Sequence, residues 1–73
     1  MTIGEKIKEL RQSKNYSQRK LALKLDVHKN HVSLWETDKY EPSISYCIAL
    51  ADVFGVTLDE LCCREVKKNG KNN

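Results

Sequence analysis

Between Ser17 and Glu36 the apolar positions keep a helical spacing, break once around Asp26 and resume at a different angle. Leu21, Ala22 and Leu25 line one side of a first short helix. Val32 and Trp35 line the inner side of a second, and Val27 bridges the gap. Helices this short cannot each bury a face alone, so the pattern predicts a pair sharing one core across a tight turn. The second helix, from near His28 to about Glu36, then turns Lys29, Asn30, Ser33 and Leu34 outward.

The flanking sequence supplies further starts and stops. Thr2-x-x-Glu5 is a capping-box pattern, predicting a helix with Ile3, Ile7 and Leu10 inside. It exits through Lys14-Asn15-Tyr16, where Asn15 suits a left-handed cap. Ser17 caps the next helix, and Asp26 occupies the turn with a positive φ. Pro42 disfavours helix at Glu41, so residues 38–42 read as a loop. Ser43 caps a fourth helix with Ile44, Cys47, Ile48, Leu50 and Ala51 inside, ending at Phe54-Gly55. Thr57-x-x-Glu60 opens a short fifth helix that buries Leu58 and Leu61. No stretch alternates as a strand does. The expected fold class is all-α, a compact five-helix bundle over residues 1–63, with 64–73 as a polar, mobile tail.

Seventy-three residues allow one small domain. No apolar run approaches the roughly 20 residues that span a bilayer, and the N-terminal MTIGEKIKEL lacks a signal peptide's apolar middle. A cytoplasmic protein with no membrane association is expected. The net charge of +3 is unevenly placed. Residues 1–30 hold eight Lys/Arg against three Asp/Glu, whereas residues 31–73 hold five against seven. Such polarity suits a protein that presents one face to phosphates. Three cysteines without a secretory signal argue against a disulfide framework. Cys47 reads as a small core residue, and Cys62 and Cys63 as packing residues or part of a partner contact.

A helix fits the major groove of B-DNA, and the outward face of residues 29–34 carries side chains suited to base edges. Asn30 is the first candidate, because an amide bonds both N6 and N7 of adenine. Lys29 suits guanine O6 and N7 or a phosphate equally. Ser33 contacts DNA or simply permits close approach. Leu34 touches a thymine methyl or lies half-buried against Trp35. Arg19 and Lys20, at the start of the earlier helix, are phosphate-contact candidates, and His28 joins them. Trp35 shares a face with Val32 and reads as a core anchor. His28 and His31 lack the further ligands that zinc requires, so neither metal nor cofactor is expected. Nothing resembles a nucleophile with its base or a phosphate-cradling glycine loop, and no enzyme activity is expected.

Taken together, IGEKIKELR, SQRKLALKLDV, VSLWE, the Pro42-Ser43 pair and LADVFGVTLDEL resemble the lambda-repressor-like, Cro-type helix-turn-helix domains over about residues 3–62. The resemblance implies a DNA-binding domain whose third helix reads the duplex. It implies that Gln18 contacts a phosphate and braces the reader helix, and that Arg11 and Glu36 form a partly buried ion pair. Thr37, Lys39 and Tyr40 fall in the loop that meets the DNA backbone. Asp26 and Asp38 stand where glycine is common, His28 where a Ser or Thr cap is common, and Leu34 where a polar residue is frequent. The expected function is a sequence-specific transcriptional regulator, a repressor of phage or mobile-element type. It would bind double-stranded DNA as a homodimer through the surface near helix five and Val66. The competing reading is an antitoxin-like or other protein-interaction module on the same fold, with a protein partner.

Overall fold

The computed structural model describes residues 1–62. The expected tail, with Val66, and Cys63 lie outside the described residues. Five helices follow in order: α1 (Ile3–Ser13), α2 (Gln18–Leu25), α3 (Lys29–Glu36), α4 (Ile44–Phe54) and α5 (Leu58–Leu61). No strand occurs among the described residues. The α1 start is a complete capping box: Thr2 Oγ1 accepts from Glu5 N–H while Glu5 Oε1 accepts from Thr2 N–H. Ser17, Ser43 and Thr57 each cap with a hydroxyl that accepts from the N–H three residues on.

Four helices end in the same way, with one residue in the left-handed region: Asn15 (φ 60°), Asp26 (φ 58°), Asp38 (φ 61°) and Gly55 (φ 71°). At each end the following N–H reaches back to the last turn, as Val27 does to the Ala22 carbonyl at 3.0 Å. Three of the four are Asn or Asp, whose short polar side chains tolerate this conformation at modest cost. Asp38 also makes long-range contacts. Its carboxylate accepts from Thr2 Oγ1 at 2.7 Å and from Gly4 N–H at 3.1 Å, tying the start of α1 to the end of α3. Identical substitutions at two of these caps should therefore act in opposite directions. Asp26→Gly relieves left-handed strain and is expected to stabilise by about 0.5–1 kcal/mol. Asp38→Gly removes two bonds and is expected to destabilise by about 1–2 kcal/mol. Urea unfolding midpoints of the two variants check the pair; midpoints moving in the same direction would contradict the assignment.

Ile7, Leu21, Val32, Leu50 and Leu61 are fully enclosed, with Ala22, Trp35, Cys47, Ala51 and Phe54 completing the core. Trp35 is the anchor expected, its ring tilted against Tyr46 with centroids 5.3 Å apart. Burial raises the Cys47 thiol above its ordinary range, helped by neighbouring Cys62 and by Glu41, so at neutral pH it stays a protonated core side chain.

Three expected core positions need correction. Ile44 and Ile48 are 70% and 48% exposed, and Leu58 is 38% exposed. Nearly every side of α4 is apolar, so periodicity could not select its inner face. The buried set is Cys47, Leu50, Ala51 and Phe54, which puts Ile48 about 100° off its centre. Ile44 lies in the first turn of α4 and Leu58 in that of α5. His31 is exposed, with Nδ1 3.3 Å from the His28 carbonyl oxygen and its ring set edge-on to Trp35.

Candidate nucleic-acid interface

The reader candidate α3 is eight residues long, and its two sides differ sharply. Val32, Trp35 and Glu36 are buried, Lys29, Asn30 and His31 are exposed, and Ser33 and Leu34 are half-buried. The half-burial of Leu34 matches one of the two placements open to it from sequence. Its carbonyl accepts from Lys39 N–H at 3.0 Å, which closes the helix end.

The start of α3 is capped by an imidazole. His28 Nδ1 accepts from Asn30 N–H at 3.1 Å, so the ring serves as acceptor on that nitrogen and leaves Nε2 as the donor. His28 is exposed. Arg19 on α2 and Lys29 on α3 border the same shallow groove as His28, so three of the predicted contact residues come together there. The N–H groups of Gln18 and Arg19 head α2 before its first intrahelical bond, giving the same side a partial positive charge.

Behind this face, a polar cluster sets the angle of α3. Glu36 is 9% exposed and receives Arg11 in two bonds, Nε to Oε2 at 2.6 Å and Nη2 to Oε1 at 3.1 Å. Gln18 Nε2 donates to Glu36 Oε1 at 3.0 Å, and Arg11 Nη1 donates to the Tyr16 carbonyl at 2.8 Å. One carboxylate thus ties α1, α2 and α3 together. The bracing role implied for Gln18 is present in the geometry.

The other predicted residues divide. Thr37, Lys39 and Tyr40 follow α3 at its far end and are all exposed. Thr37 Oγ1 donates to the Ser33 carbonyl at 2.9 Å and lies near that of Leu34 at 3.3 Å, so its hydrogen is committed within the chain. Lys20 and Lys24 place their ammonium groups 5.8 and 5.1 Å from the Tyr16 ring centroid, so Lys20 leans toward Tyr16. Sequence reasoning missed Leu23, 74% exposed on the outer side of α2 and bordering the Arg19–His28–Lys29 groove. Its spacing four residues from Arg19 was the available signal. No helix among the described residues is long and apolar enough to cross a membrane.

Two short helices are thus set across a left-handed turn and braced by one carboxylate. A helix-turn-helix family model matches residues 7–61, most of the chain. The chain belongs to the lambda-repressor-like helix-turn-helix family. It is 37% identical over 65 residues to the HTH-type transcriptional activator BcrR of Enterococcus faecalis, covering 89% of this chain and 32% of that protein. It is 31% identical over 74 residues to the HTH-type transcriptional regulator ImmR of Bacillus subtilis, covering 100% of this chain and 58% of the relative. The immunity repressor protein of Bacillus phage phi105 is 31% identical over 65 residues, 89% of this chain and 45% of the relative. The helix-turn-helix chain therefore spans between a third and three-fifths of the length of these relatives.

Proposed function

We propose that this helix-turn-helix chain is a sequence-specific DNA-binding transcriptional regulator, a repressor of phage or mobile-element type. The observation that carries the reading is the two-sidedness of α3: Val32, Trp35 and Glu36 hold it from behind while Lys29 and Asn30 stand clear in front. In this reading α3 lies in the major groove. Asn30 pairs with adenine, and Lys29 takes guanine or a phosphate. Ser33 allows close approach, and Leu34 offers an apolar edge to a thymine methyl. The α2 start, with Gln18 and Arg19, and the His28 Nε2–H meet phosphates on one side, with Lys20 contributing charge. Lys39 and Tyr40 meet them on the other, and Thr37 packs the loop between. The immunity repressor protein of Bacillus phage phi105 supports the repressor assignment. A cytoplasmic location goes with it.

So short a reader presents too few base contacts for tight binding alone, so a second copy is part of the proposal. The exposed Ile44 and Ile48 of α4, with Leu58 at the start of the adjoining α5, are assigned to the two-fold contact. They lie in the 43–61 segment, which carries acids and no bases and so would be repelled by phosphates. Two half-sites one helical turn apart, about 34–36 Å, would then be read together.

Selection of bound duplexes from a random pool, followed by anisotropy titrations at several salt concentrations, tests this. A selected duplex should bind with an affinity that falls linearly with salt on logarithmic axes. Asn30→Ala should cost about 1–3 kcal/mol and relax preference at one base pair, while Lys29→Ala should flatten the salt slope if it meets a phosphate. Unchanged affinity in both variants, or no enriched duplex, overturns the reading. Ile44→Asp should weaken dimer formation in sedimentation equilibrium without unfolding the domain.

A further inference from the structure

The groove between the outer side of α2 and the turn into α3 combines a basic rim with an apolar lining that phosphate binding alone does not need. Its floor is apolar, formed by Ala22, Leu23 and Val27, and its rim holds Arg19, His28 and Lys29 around a volume of about 330 Å³. Leu23 is the most exposed large apolar side chain among the described residues, at 74%. It sits on the same side of α2 as Arg19, one turn on. An apolar lining beside an arginine and a lysine suits a ligand that is both apolar and anionic.

We infer that this groove docks an acidic amphipathic segment of a second protein, which sets an apolar side chain on Leu23 and Val27 and carboxylates against Arg19 and Lys29. Charge complementarity selects this occupant: residues 1–30 hold eight bases against three acids. Arg19, His28 and Lys29 are also groups assigned to the duplex above, so docking and DNA binding exclude each other. The exclusion rests on the proposed reading of α3; the docking does not. Such a partner would release the regulator from its operator by occupying the flank of the reader helix.

The test uses the full chain and a short fluorescein-labelled helical peptide with leucines one turn apart and glutamates between them. A peptide of the same composition in scrambled order is the control. The patterned peptide should give saturable anisotropy, weakened at least about tenfold by Leu23→Ser and restored by Leu23→Met. Leu23→Ser should leave duplex affinity within about twofold, because only the apolar floor is changed. Excess peptide should displace labelled duplex. Absence of saturable binding, equal binding of the scrambled peptide, or indifference to Leu23→Ser overturns the docking site. A parallel loss of duplex affinity in Leu23→Ser assigns the groove to DNA instead, and self-association abolished by that variant assigns it to a second copy. A ternary complex of chain, duplex and peptide overturns the exclusion. If the peptide behaves as stated but no duplex is ever bound, the reading of α3 fails while the docking site stands.

Discussion

Glu36→Ala is expected to destabilise the domain by about 3–5 kcal/mol, as removal of one partner from a buried ion pair typically does. The side chain of Glu36 is 4% exposed and that of Arg11 12%, so the guanidinium left behind keeps little access to water. The variant also strands the Gln18 amide, which shares Oε1 with Arg11. Domains of this size hold roughly 4–11 kcal/mol in all, so much of the stability would go. Urea unfolding followed by fluorescence of the single tryptophan, Trp35, reads the effect. The double variant Arg11→Met, Glu36→Met should cost less than the single change, because no charge is left buried. A loss below about 1 kcal/mol for Glu36→Ala would show that the cluster is ornamental. The same variant should weaken duplex binding at temperatures where it remains folded, because α3 loses the carboxylate that fixes its angle to α1 and α2.

Gly4→Ala is expected to cost about 3 kcal/mol, although alanine is the better helix former. A Cβ at this position would lie 2.3 Å from the Trp35 carbonyl oxygen and 2.6 Å from Asp38 Oδ1. The first neighbour is backbone and cannot swing aside, so α1 must lift away from the end of α3. That movement also opens the Gly4 N–H to Asp38 bond. Adding Asp38→Gly should fail to rescue the variant, since the contact with the carbonyl persists. Denaturation midpoints for the single and double variants decide the matter; stability at or above that of the parent chain would sink the argument. The close approach matters beyond stability, because it sets the loop that carries Lys39 and Tyr40.

These two positions were unequally legible. The importance of Glu36 and the bracing by Gln18 came with the family resemblance, but that Gln18 and Arg11 share one oxygen, Glu36 Oε1, did not. Gly4 carried no signal at all: a glycine in the first turn of a helix reads as a weak former, and its partner Asp38 lies 34 residues away. Asp38 itself was read as a loop residue in a glycine's place. Its left-handed φ agrees with that, yet the latch it forms depends on α1 arriving beside it. The capping residues Thr2, Ser17, Ser43 and Thr57 and the left-handed turns at Asn15, Asp26 and Gly55 were all readable. Each is decided by bonds spanning only a few residues. Ile44 and Ile48 were misplaced for the converse reason, since on an almost wholly apolar helix only the neighbouring elements choose the inner face.

For the candidate interface, order along the chain was enough to identify α3 and its exposed Lys29 and Asn30, because Val32 and Trp35 define its inner side; Ser33 and Leu34, expected outward, are half-buried. The grouping of Arg19 with His28 and Lys29 around an apolar floor required the crossing of α2 and α3. Local sequence thus determined where helices start, stop and turn, and which family the chain joins, because those choices rest on short-range bonds and steric limits. Tertiary packing alone decided which apolar residues stay in water, how one carboxylate joins three helices, and what surface surrounds the reader, because each depends on groups brought together from distant parts of the chain.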